Sequence, residues 1–443
     1  MSEDLVARYG ARTAPRYTSH PTAADFTAAV GPAEHARWLG TLDPAEPVSI
    51  YIHVPYCREI CAYCGCHAKA VRRDEPVAAL RAALMAEIRL VADRVSNRLT
   101  IGRLAFGGGT PSILGVGGLR AVVGALGERF DVDPRAERSI ELDPRFVDAA
   151  LCDGLAGLGF NRVSLGVQDV EPRVQAAIGR LQPIETVQAA VRLVRSAGIR
   201  GLNLDLIYGL PHQSGISLAR TCDAVIALGP DRVAAYGYAH LPQRRTNQRL
   251  VDASALPAAS ERFAQAATIA ARFQANGYQA IGIDHYARLC DPLAAAARGG
   301  SLRRNFQGYT DDACGTLIGF GPSAVSQLPG GFAQNLSPIG GWHERIAAGE
   351  LATARGHAAT GDDRVRAAII ENLMCRFRAE LGGDAPGFGD EIALLRPLVA
   401  DGLVEVRDGM IAVTRAGRPF VRLVAAVFDR FRTEATATFS GAV

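Results

Sequence analysis

Four of the nine cysteines in this 443-residue chain fall within ten residues, and this cluster restricts the fold and the chemistry more than any other feature. The group comprises Cys57, Cys61, Cys64 and Cys66 and follows directly after an apolar run at 48–55. That run has the length and composition of a buried strand, so we expect the cysteines in a loop at its carboxyl end. In α/β enzymes this end of the sheet carries the chemistry.

The spacing of these cysteines, CxxxCxxC, leaves three kinds of site open. Buried thiolates need a partner that compensates their charge, such as a metal, unless they are joined in a disulfide. A tetrahedral zinc site takes four ligands, and no second CxxC or HxxxH follows to complete one. Three thiolates on one loop bind three irons of a 4Fe-4S cube and leave the fourth iron open to a substrate or cofactor. The spacing favours the cube, with zinc and a disulfide as alternatives.

The cysteine loop resembles that of the radical S-adenosylmethionine (SAM) superfamily, in which an aromatic residue, here Tyr63, precedes the third cysteine. Cys66 and the lead-in YIHVP at 51–55 resemble one family within it, the oxygen-independent coproporphyrinogen III oxidases. The resemblance implies catalytic roles for Tyr51 and His53, with Tyr51 and Tyr63 also contacting SAM. It places Cys66 beside the cluster without binding it. The implied cluster ligands are Cys57, Cys61 and Cys64.

The overall composition argues against several other classes of protein. Lys and Arg number 48 against 45 for Asp and Glu, and a net charge of +3 is no nucleic-acid signature. The first residues are acidic and lack the basic and apolar regions of a signal peptide. No apolar run reaches the ~18–20 residues of a membrane span. We therefore expect a cytoplasmic protein that binds neither nucleic acid nor a membrane and keeps its thiols reduced.

Short apolar runs alternate with segments of helical periodicity, as in the βα units of a parallel sheet. The segment at 76–95, for example, carries Leu80, Leu84, Ile88 and Val91 at spacings of three and four. The expected fold class is α/β, with an incomplete (β/α)6 barrel, because six units fall short of the eight in a closed barrel. The six runs are 50–54, 99–106, 139–142, 162–167, 201–208 and 232–238.

Glycine and polar residues follow the ends of the predicted strands, which a parallel sheet brings to one edge. The turn GGGTP at 107–111 lets a ligand approach the backbone. Asp205 lies between two leucines, so its side chain points away from theirs. On pattern alone a structural acid is an equal alternative for Asp205, and Arg180 would be a solvated surface arginine. By resemblance both bind SAM, and Arg180 meets its carboxylate. The implied SAM-binding residues at these ends and beyond are Gly108, Gly109, Thr110, Glu141, Gln168, Arg180, Asp205, Ala239 and Val325.

The two ends of the chain lie outside the alternating pattern. The phrase PRYTSHPTA at 15–23 resembles the N-terminal arm of the oxidase family, with His20 where the family has tyrosine. We expect this arm to lie over the active-site mouth, where Arg16 and His20 contact the substrate; an ordinary surface loop is the alternative. The predicted divisions are 1–45 for the arm, 46–348 for the catalytic partial barrel and 349–443 for a smaller, mostly helical, winged-helix-like domain.

The resemblance covers almost the whole chain and implies an enzyme of haem and porphyrin biosynthesis. At a 4Fe-4S cluster, SAM is cleaved to a 5′-deoxyadenosyl radical, which abstracts hydrogen from a propionate of coproporphyrinogen III. Loss of carbon dioxide and one electron, repeated on a second propionate, gives protoporphyrinogen IX. The implied cofactors are the cluster and one SAM, with a second SAM left open. The implied partners of this monomeric enzyme are coproporphyrinogen III and a low-potential electron donor such as flavodoxin or ferredoxin.

Two other functions stay open on the sequence. A haem-binding chaperone of the same superfamily keeps the three ligand cysteines but has phenylalanine at the position of Cys66, and it lacks the phrase at 15–23. A non-catalytic iron–sulfur sensor would leave the glycine, acidic and arginine positions at the strand ends without a purpose. Cys66 and the phrase at 15–23 therefore favour the oxidase over the chaperone. The residues at the strand ends favour it over the sensor.

Replacing the four cysteines of the loop one at a time tests the ligand assignment. We expect Cys57→Ala, Cys61→Ala and Cys64→Ala each to lose most of the iron and the brown absorbance after anaerobic reconstitution, because each removes one thiolate ligand. Cys66→Ala should keep both. Iron per chain and the visible spectrum measure the outcome, and a complete cluster in Cys57→Ala would overturn the assignment.

Overall fold

The computed structural model describes residues 3–382 and 387–432, and most of the strands in these residues join one mixed sheet. The strands are β1 (Val48–Val54), β2 (Tyr56–Cys57), β3 (Lys69–Ala70), β4 (Thr100–Gly108), β5 (Asp131–Leu142), β6 (Arg162–Gln168), β7 (Gly201–Tyr208), β8 (Arg232–Gly237), β9 (Tyr278–Ile281), β10 (His285–Arg288), β11 (Arg303–Asn305), β12 (Gly308–Thr310), β13 (Thr316–Phe320), β14 (Val325–Leu328), β15 (Gly331–Asn335), β16 (Thr353–Ala358), β17 (Arg378–Glu380), β18 (Val404–Arg407) and β19 (Met410–Val413).

Helices connect these strands, and in the described parts of the chain none combines the length and the apolar composition needed to cross a bilayer. The helices are α1 (Glu3–Tyr9), α2 (Pro32–Leu39), α3 (Glu75–Ala92), α4 (Gly115–Arg129), α5 (Ala149–Gly157), α6 (Pro172–Ala177), α7 (Ile184–Ser196), α8 (Gly215–Ala227), α9 (Ala259–Ala275), α10 (Pro292–Gly299), α11 (Ile339–Ala347), α12 (Gly361–Arg376), α13 (Gly389–Leu394), α14 (Arg396–Ala400) and α15 (Val421–Val427).

The centre of the large sheet is parallel, and its strand order follows the chain. Its twelve strands lie in the order β16-β15-β14-β13-β1-β4-β5-β6-β7-β8-β10-β9. The strands from β13 to β8 in this order run parallel, and antiparallel strands extend both edges. Parallel neighbours joined by crossover helices present their carboxyl ends at one edge. The predicted α/β class is confirmed, and each of the six predicted runs coincides with one of these parallel strands, with only Leu99 and Tyr238 falling outside.

One face of the parallel strands packs against the helices. Leu80 and Leu84 of α3 are buried there, as their spacing predicted. In β7, Leu204 and Leu206 are fully buried, whereas Asp205 between them points to the cavity described below. Burying one such leucine stabilises the fold by about 1.5–3 kcal/mol. Because side chains alternate between the two faces of a strand, burial of the leucines on one face places residues such as Asp205 on the opposite face.

That opposite face carries a buried network of ion pairs. Arg162 Nε lies 2.8 Å from Glu137 Oε2, and Arg232 Nε lies 2.7 Å from Asp291 Oδ1. Arg103 also pairs with Glu137. Burial would raise the pKa of Glu137, but the three guanidinium groups outweigh it and hold that pKa below its ordinary value. Because Arg162 and Arg232 begin β6 and β8, the network lies toward the amino ends of the strands.

The N-terminal arm packs against the C-terminal part of the chain. Tyr9 and Tyr17 are buried in one apolar cluster with C-terminal residues. The Tyr9 hydroxyl donates to Asp401 Oδ2 at 2.6 Å, and the Tyr17 hydroxyl donates to Asp429 Oδ2 at 3.0 Å. These contacts hold the chain on both sides of Arg16 and so fix the position of that residue.

The C-terminal region contains a small antiparallel sheet in the order β17-β19-β18, with α12 to α15 around it. Asp408 and Gly409 join β18 to β19, and both have positive φ, as a two-residue hairpin turn requires. β16 pairs with β15, so the large sheet continues past the boundary predicted at 348/349. The division of the chain into three domains stays a prediction.

Glu87 ties α3 to segments on the far side of β1. Its buried carboxylate accepts hydrogen bonds from Gly321 N–H at 2.7 Å, Asn335 Nδ2 at 2.6 Å and the indole N–H of Trp342 at 3.1 Å. Burial raises the pKa of Glu87 to about 7, although these donors favour the charged form. Three segments thus depend on one side chain for a hydrogen-bond acceptor.

Glu87→Ala should destabilise the protein strongly, because each of three buried donors left without an acceptor costs about 1–3 kcal/mol. The matched control is Glu75→Ala, an exposed acid on the same helix. That change should lower the free energy of unfolding by no more than about 1 kcal/mol. Thermal and denaturant unfolding of the two variants measures the difference. Equal losses would mean that the three hydrogen bonds of Glu87 contribute nothing to the fold.

Candidate active site

The carboxyl ends of the parallel strands surround a cavity of about 840 Å³. The cysteine loop after β1 forms one side of it, and residues at the ends of β4 to β8 form the other. The fold therefore gathers residues from most of the predicted strand ends. The predicted site residues on the cavity wall are Arg16, Cys57, Cys61, Tyr63, Cys64, Gly108, Gly109, Thr110, Glu141, Gln168, Arg180, Asp205 and Ala239.

The cysteine loop is held by a segment to which no sequence pattern pointed. Asn247 donates from Nδ2 to the carbonyl of Cys61 at 3.1 Å and to that of Cys64 at 2.9 Å. Gln248 donates from Nε2 to the carbonyl of Tyr63 at 2.8 Å. Buried backbone carbonyls need hydrogen-bond donors, and these two amides supply donors from outside the loop and so fix its orientation.

The thiols of the loop face the cavity together with hydrogen-bond donors. Thr110 Oγ1 donates to Cys57 Sγ at 3.3 Å, and Arg180 Nη1 donates to Cys61 Sγ at 3.5 Å. Burial raises the pKa of Cys57 to about 11. A hydrogen bond from the neighbouring Cys66 lowers the pKa of Cys64 to about 6, against the effect of burial. Cys66 is thus next to the predicted ligands.

These residues fit a thiolate-bound iron–sulfur cube. Within residues 3–382 and 387–432, no three His, Cys, Asp or Glu side chains converge as the ligands of a single metal ion would. A cube does not require this convergence, because each thiolate binds a different iron. Hydrogen bonds to the sulfurs are a regular feature of such clusters and tune their potential.

The glycine turn after β4 allows two side chains to approach its backbone. A Cβ atom on Gly107 would lie 2.8 Å from Glu141 Oε1, and one on Gly108 would lie 2.6 Å from the His53 ring. Gly108 has a φ of +109°, and its N–H donates to Glu141 Oε2 at 3.1 Å. The absence of side chains therefore lets the turn pack against Glu141 and His53 while its other face lines the cavity.

Two carboxylates stand on the wall formed by β5 and β7. Ser164 Oγ donates to Asp205 Oδ2 at 2.9 Å, and Glu141 is exposed to the cavity. Enclosure by the protein raises the pKa of Asp205 to about 6. The same enclosure, with the charge of Asp205 nearby, raises the pKa of Glu141 to about 7. Both groups line the cavity, where they can accept hydrogen bonds from a ligand.

Arg180 is buried at the cavity wall and is already paired. Its Nη1 lies 3.1 Å from Asp143 Oδ2, and its Nη2 donates to the Gly166 carbonyl at 2.7 Å. Asp143 is held from its other side by Arg145 at 2.7 Å. Arg180 Nε has no hydrogen-bond partner among the described residues. The guanidinium is therefore fixed in place, with one donor unused.

Tyr51, His53 and Val325 lie off the cavity wall. The Tyr51 hydroxyl and His53 Nδ1 are 3.1 Å apart on β1, against the glycine turn. Val325 of β14 packs instead with Phe26 and Phe332 in a separate apolar cluster. The structure thus places Val325 away from the cavity wall, and its predicted SAM contact stays a prediction.

The two predicted substrate contacts of the arm have different positions. Arg16 lines the cavity, donates to the Gly237 carbonyl at 2.6 Å and lies over the Tyr236 ring at 5.7 Å. His20 is buried elsewhere, with Nδ1 3.6 Å from Asp429 Oδ1. Burial lowers the pKa of His20. Residues of the C-terminal region enclose the ring, and the predicted substrate contact of His20 stays a prediction.

Comparison with known proteins agrees with this site. Residues 51–225 match the Radical SAM superfamily. Over 436 residues the chain is 44% identical to the oxygen-independent coproporphyrinogen III oxidase of Bradyrhizobium diazoefficiens, covering 97% of each chain. The chain belongs to the oxygen-independent coproporphyrinogen III oxidase family. Within this family it is also 42% identical to the Paracoccus denitrificans oxidase, covering 94% of each. A solved coproporphyrinogen III oxidase structure from Escherichia coli matches 94% of this chain and 98% of its own, with 36% identity and a TM-score of 0.90.

The superfamily match contains most of the cavity wall of this family member. It begins at Tyr51 and extends past Asp205, so it includes the cysteine loop, the glycine turn and Glu141. Arg16 and Asn247 lie outside it, although the first lines the cavity and the second holds the loop. The cavity of this oxidase therefore combines residues of the superfamily match with residues beyond it.

The raised pKa of Glu141 predicts how the stability of the folded protein depends on pH. A carboxyl group whose pKa rises from 4.5 unfolded to about 7 folded lowers stability as the pH increases through that window. Glu141→Gln should therefore raise the unfolding temperature of the cluster-free protein at pH 8, and raise it less at pH 5. Thermal unfolding at both pH values measures this, with Glu185→Gln as the exposed control. A gain as large at pH 5 as at pH 8 would contradict the expectation.

Proposed function

We propose that this chain acts as an oxygen-independent coproporphyrinogen III oxidase, a radical SAM enzyme of haem biosynthesis. It converts two propionate side chains of coproporphyrinogen III into vinyl groups and gives protoporphyrinogen IX. The observation that carries the proposal is the cavity in which the thiols of one loop face Arg180, Glu141 and Asp205. Identity of 44% and 42% to oxidases over nearly the full length of each chain supports the same activity.

In this proposal Cys57, Cys61 and Cys64 bind the 4Fe-4S cluster, and Cys66 stands beside it. When bound, the cluster and SAM supply the 5′-deoxyadenosyl radical that removes a hydrogen atom from the propionate. The protein holds the loop through the amides described above and donates hydrogen bonds to two sulfurs, from Thr110 and Arg180. These donors support the assignment, because they stabilise negative charge on sulfur.

The remaining wall residues bind SAM. Arg180 would supply the positive charge for the carboxylate of SAM, and the backbone of the glycine turn would hold its amino-acid part. Glu141 and Asp205 accept hydrogen bonds from ribose hydroxyls or the amine. Tyr51 and His53 lie against this turn, and the catalytic roles that the resemblance implies for them, with the SAM contact of Tyr51, are kept in this proposal. Further contacts come from Tyr63, Gln168 and Ala239.

The N-terminal arm and the C-terminal region help to bind the substrate. Arg16 reaches the cavity because residues on either side of it pack on the winged-helix-like C-terminal region, which acts as its scaffold. The six βα units form the partial barrel that carries the site. Enclosure of the cavity limits access of water to reactive species. A low-potential donor such as flavodoxin or ferredoxin supplies the electron.

Anaerobic turnover tests the activity directly. Reconstituted protein with coproporphyrinogen III, SAM and dithionite should give a product with two vinyl groups in place of two propionates, with loss of two carbon dioxide molecules. Cys61→Ala is the control and should give none, because the cluster is incomplete. Mass spectrometry of the tetrapyrrole measures the result. SAM cleavage with an unchanged tetrapyrrole would overturn the proposed substrate.

SAM titration tests the wall residues separately from turnover. Arg180→Ala and Asp205→Ala should each weaken SAM binding about ten- to a hundredfold, which is the effect of losing one charge-assisted hydrogen bond of about 1.5–3 kcal/mol. The matched control is Arg173→Ala, an exposed arginine shortly before Arg180. Iron content must equal that of the unmodified protein. Unchanged affinity in both variants would show that these residues are structural.

A further inference from the structure

A second cavity of about 230 Å³ lies between α9 and the C-terminal residues. Arg16 and Gly237 line both cavities, so the two meet at this point. Cavities that enclose a drug-sized ligand measure roughly 300–1,000 Å³. The second cavity is therefore too small for a tetrapyrrole ring system but large enough for one of its side chains.

The wall of this second cavity is rich in arginine. Arg262 of α9 and Arg422 of α15 line it together with Arg16. Arg415 and Arg418, which are exposed, line its outer part. Five guanidinium groups from three separate segments of the chain therefore surround a small space. Arginine presents a planar pair of donors that matches a carboxylate.

The inner guanidinium groups are enclosed by the protein. Arg262 Nη2 donates to the Tyr238 carbonyl at 3.0 Å, and its buried Nε has no hydrogen-bond partner among the described residues. Burial lowers the pKa of Arg262, and the positive charge of Arg16 lowers it further. Arg422 is engaged by the arm, since its Nε donates to the Pro15 carbonyl at 2.9 Å and its Nη2 donates to the Ala14 carbonyl. The same two causes lower its pKa. An anion in this cavity would relieve the repulsion between these cations.

The acid on this wall does not supply that anion. Asp284 is the only acidic side chain among the described residues that line the cavity. Its carboxylate lies 2.6 Å from His285 Nδ1 and 3.9 Å from Arg304 Nη1, so its contacts within 4 Å are with residues outside the arginine group. Its charge also acts on Arg16 and Arg422. The positive charges on the wall outnumber the negative one.

Apart from Asp284 and two tyrosines, the rest of the wall is mostly apolar, so the cavity combines cations with hydrocarbon. A carboxylate on a short hydrocarbon arm has the same combination, and coproporphyrinogen III carries four of them as propionates. We propose that the second cavity binds one propionate of the substrate through Arg262 and Arg418 while another propionate lies in the first cavity. This proposal rests on the proposed function. The apolar wall residues are Phe263, Ala266, Ala267, Ala270 and Ile283.

Binding of coproporphyrin III to the reconstituted enzyme tests the subsite without turnover. This porphyrin carries the same four carboxylates, and its fluorescence reports binding. Arg262→Met should weaken its binding about ten- to a hundredfold, since it removes a charge-assisted hydrogen bond. SAM affinity and iron content should stay unchanged. The matched control is Arg272→Met, an exposed arginine on the same helix that pairs with Asp223, and it should bind like the unmodified enzyme.

A second variant guards against misfolding. If Arg262→Met lowers the unfolding temperature, Arg418→Met on the exposed part of the wall replaces it, with an expected loss of about three- to tenfold. The tetramethyl ester of coproporphyrin III, which lacks the charges, should bind equally to variant and unmodified enzyme. If a folded variant binds coproporphyrin as tightly as the unmodified enzyme, and the unmodified enzyme still forms vinyl product, only the subsite is overturned. Failure of the unmodified enzyme both to bind coproporphyrin and to convert coproporphyrinogen would overturn the proposed function as well.

Discussion

Parallel pairing of neighbouring strands brings their carboxyl ends to one edge of the sheet, and the active-site cavity depends on this constraint. β1 pairs in parallel with both β4 and β13, so the cysteine loop that follows β1 stands next to the glycine turn after β4. Each further parallel strand adds its terminal residues to the same edge. A strand inserted in the opposite direction would send its terminal side chains to the other edge, away from the cavity.

The face of this sheet opposite the helices carries charged residues toward both ends of its strands. The ion pairs of Arg103, Arg162 and Arg232 lie toward the amino ends of the strands, and the cavity lies at the carboxyl ends. Charges of both signs compensate one another in the network, and removal of one partner from such a pair leaves an uncompensated buried charge. In the cavity, by contrast, enclosed Glu141 and Asp205 have raised pKa values. Their enclosure costs stability, and it leaves them available to a ligand.

The cysteine loop shows how the parts of the site support one another. Its backbone carbonyls are bound by Asn247 and Gln248, and its sulfurs accept hydrogen bonds from Thr110 and Arg180. Arg180 is itself held by Asp143 and by a backbone carbonyl. A site built this way is ordered by residues distant in the chain, so its geometry does not depend on the loop alone.

The sequence by itself determined the local features: the six parallel strands, the buried leucines of α3, the orientation of Asp205 and the loop that carries Cys57, Cys61 and Cys64. These follow from hydrophobic periodicity and short spacings, which act within a few residues of the chain. Only the tertiary structure decided that β13 joins β1, that Asn247 holds the cysteine loop and that His20 and Val325 lie off the cavity. The physical reason is that these positions depend on contacts between distant segments, such as Val48 with Thr316, which no local pattern encodes.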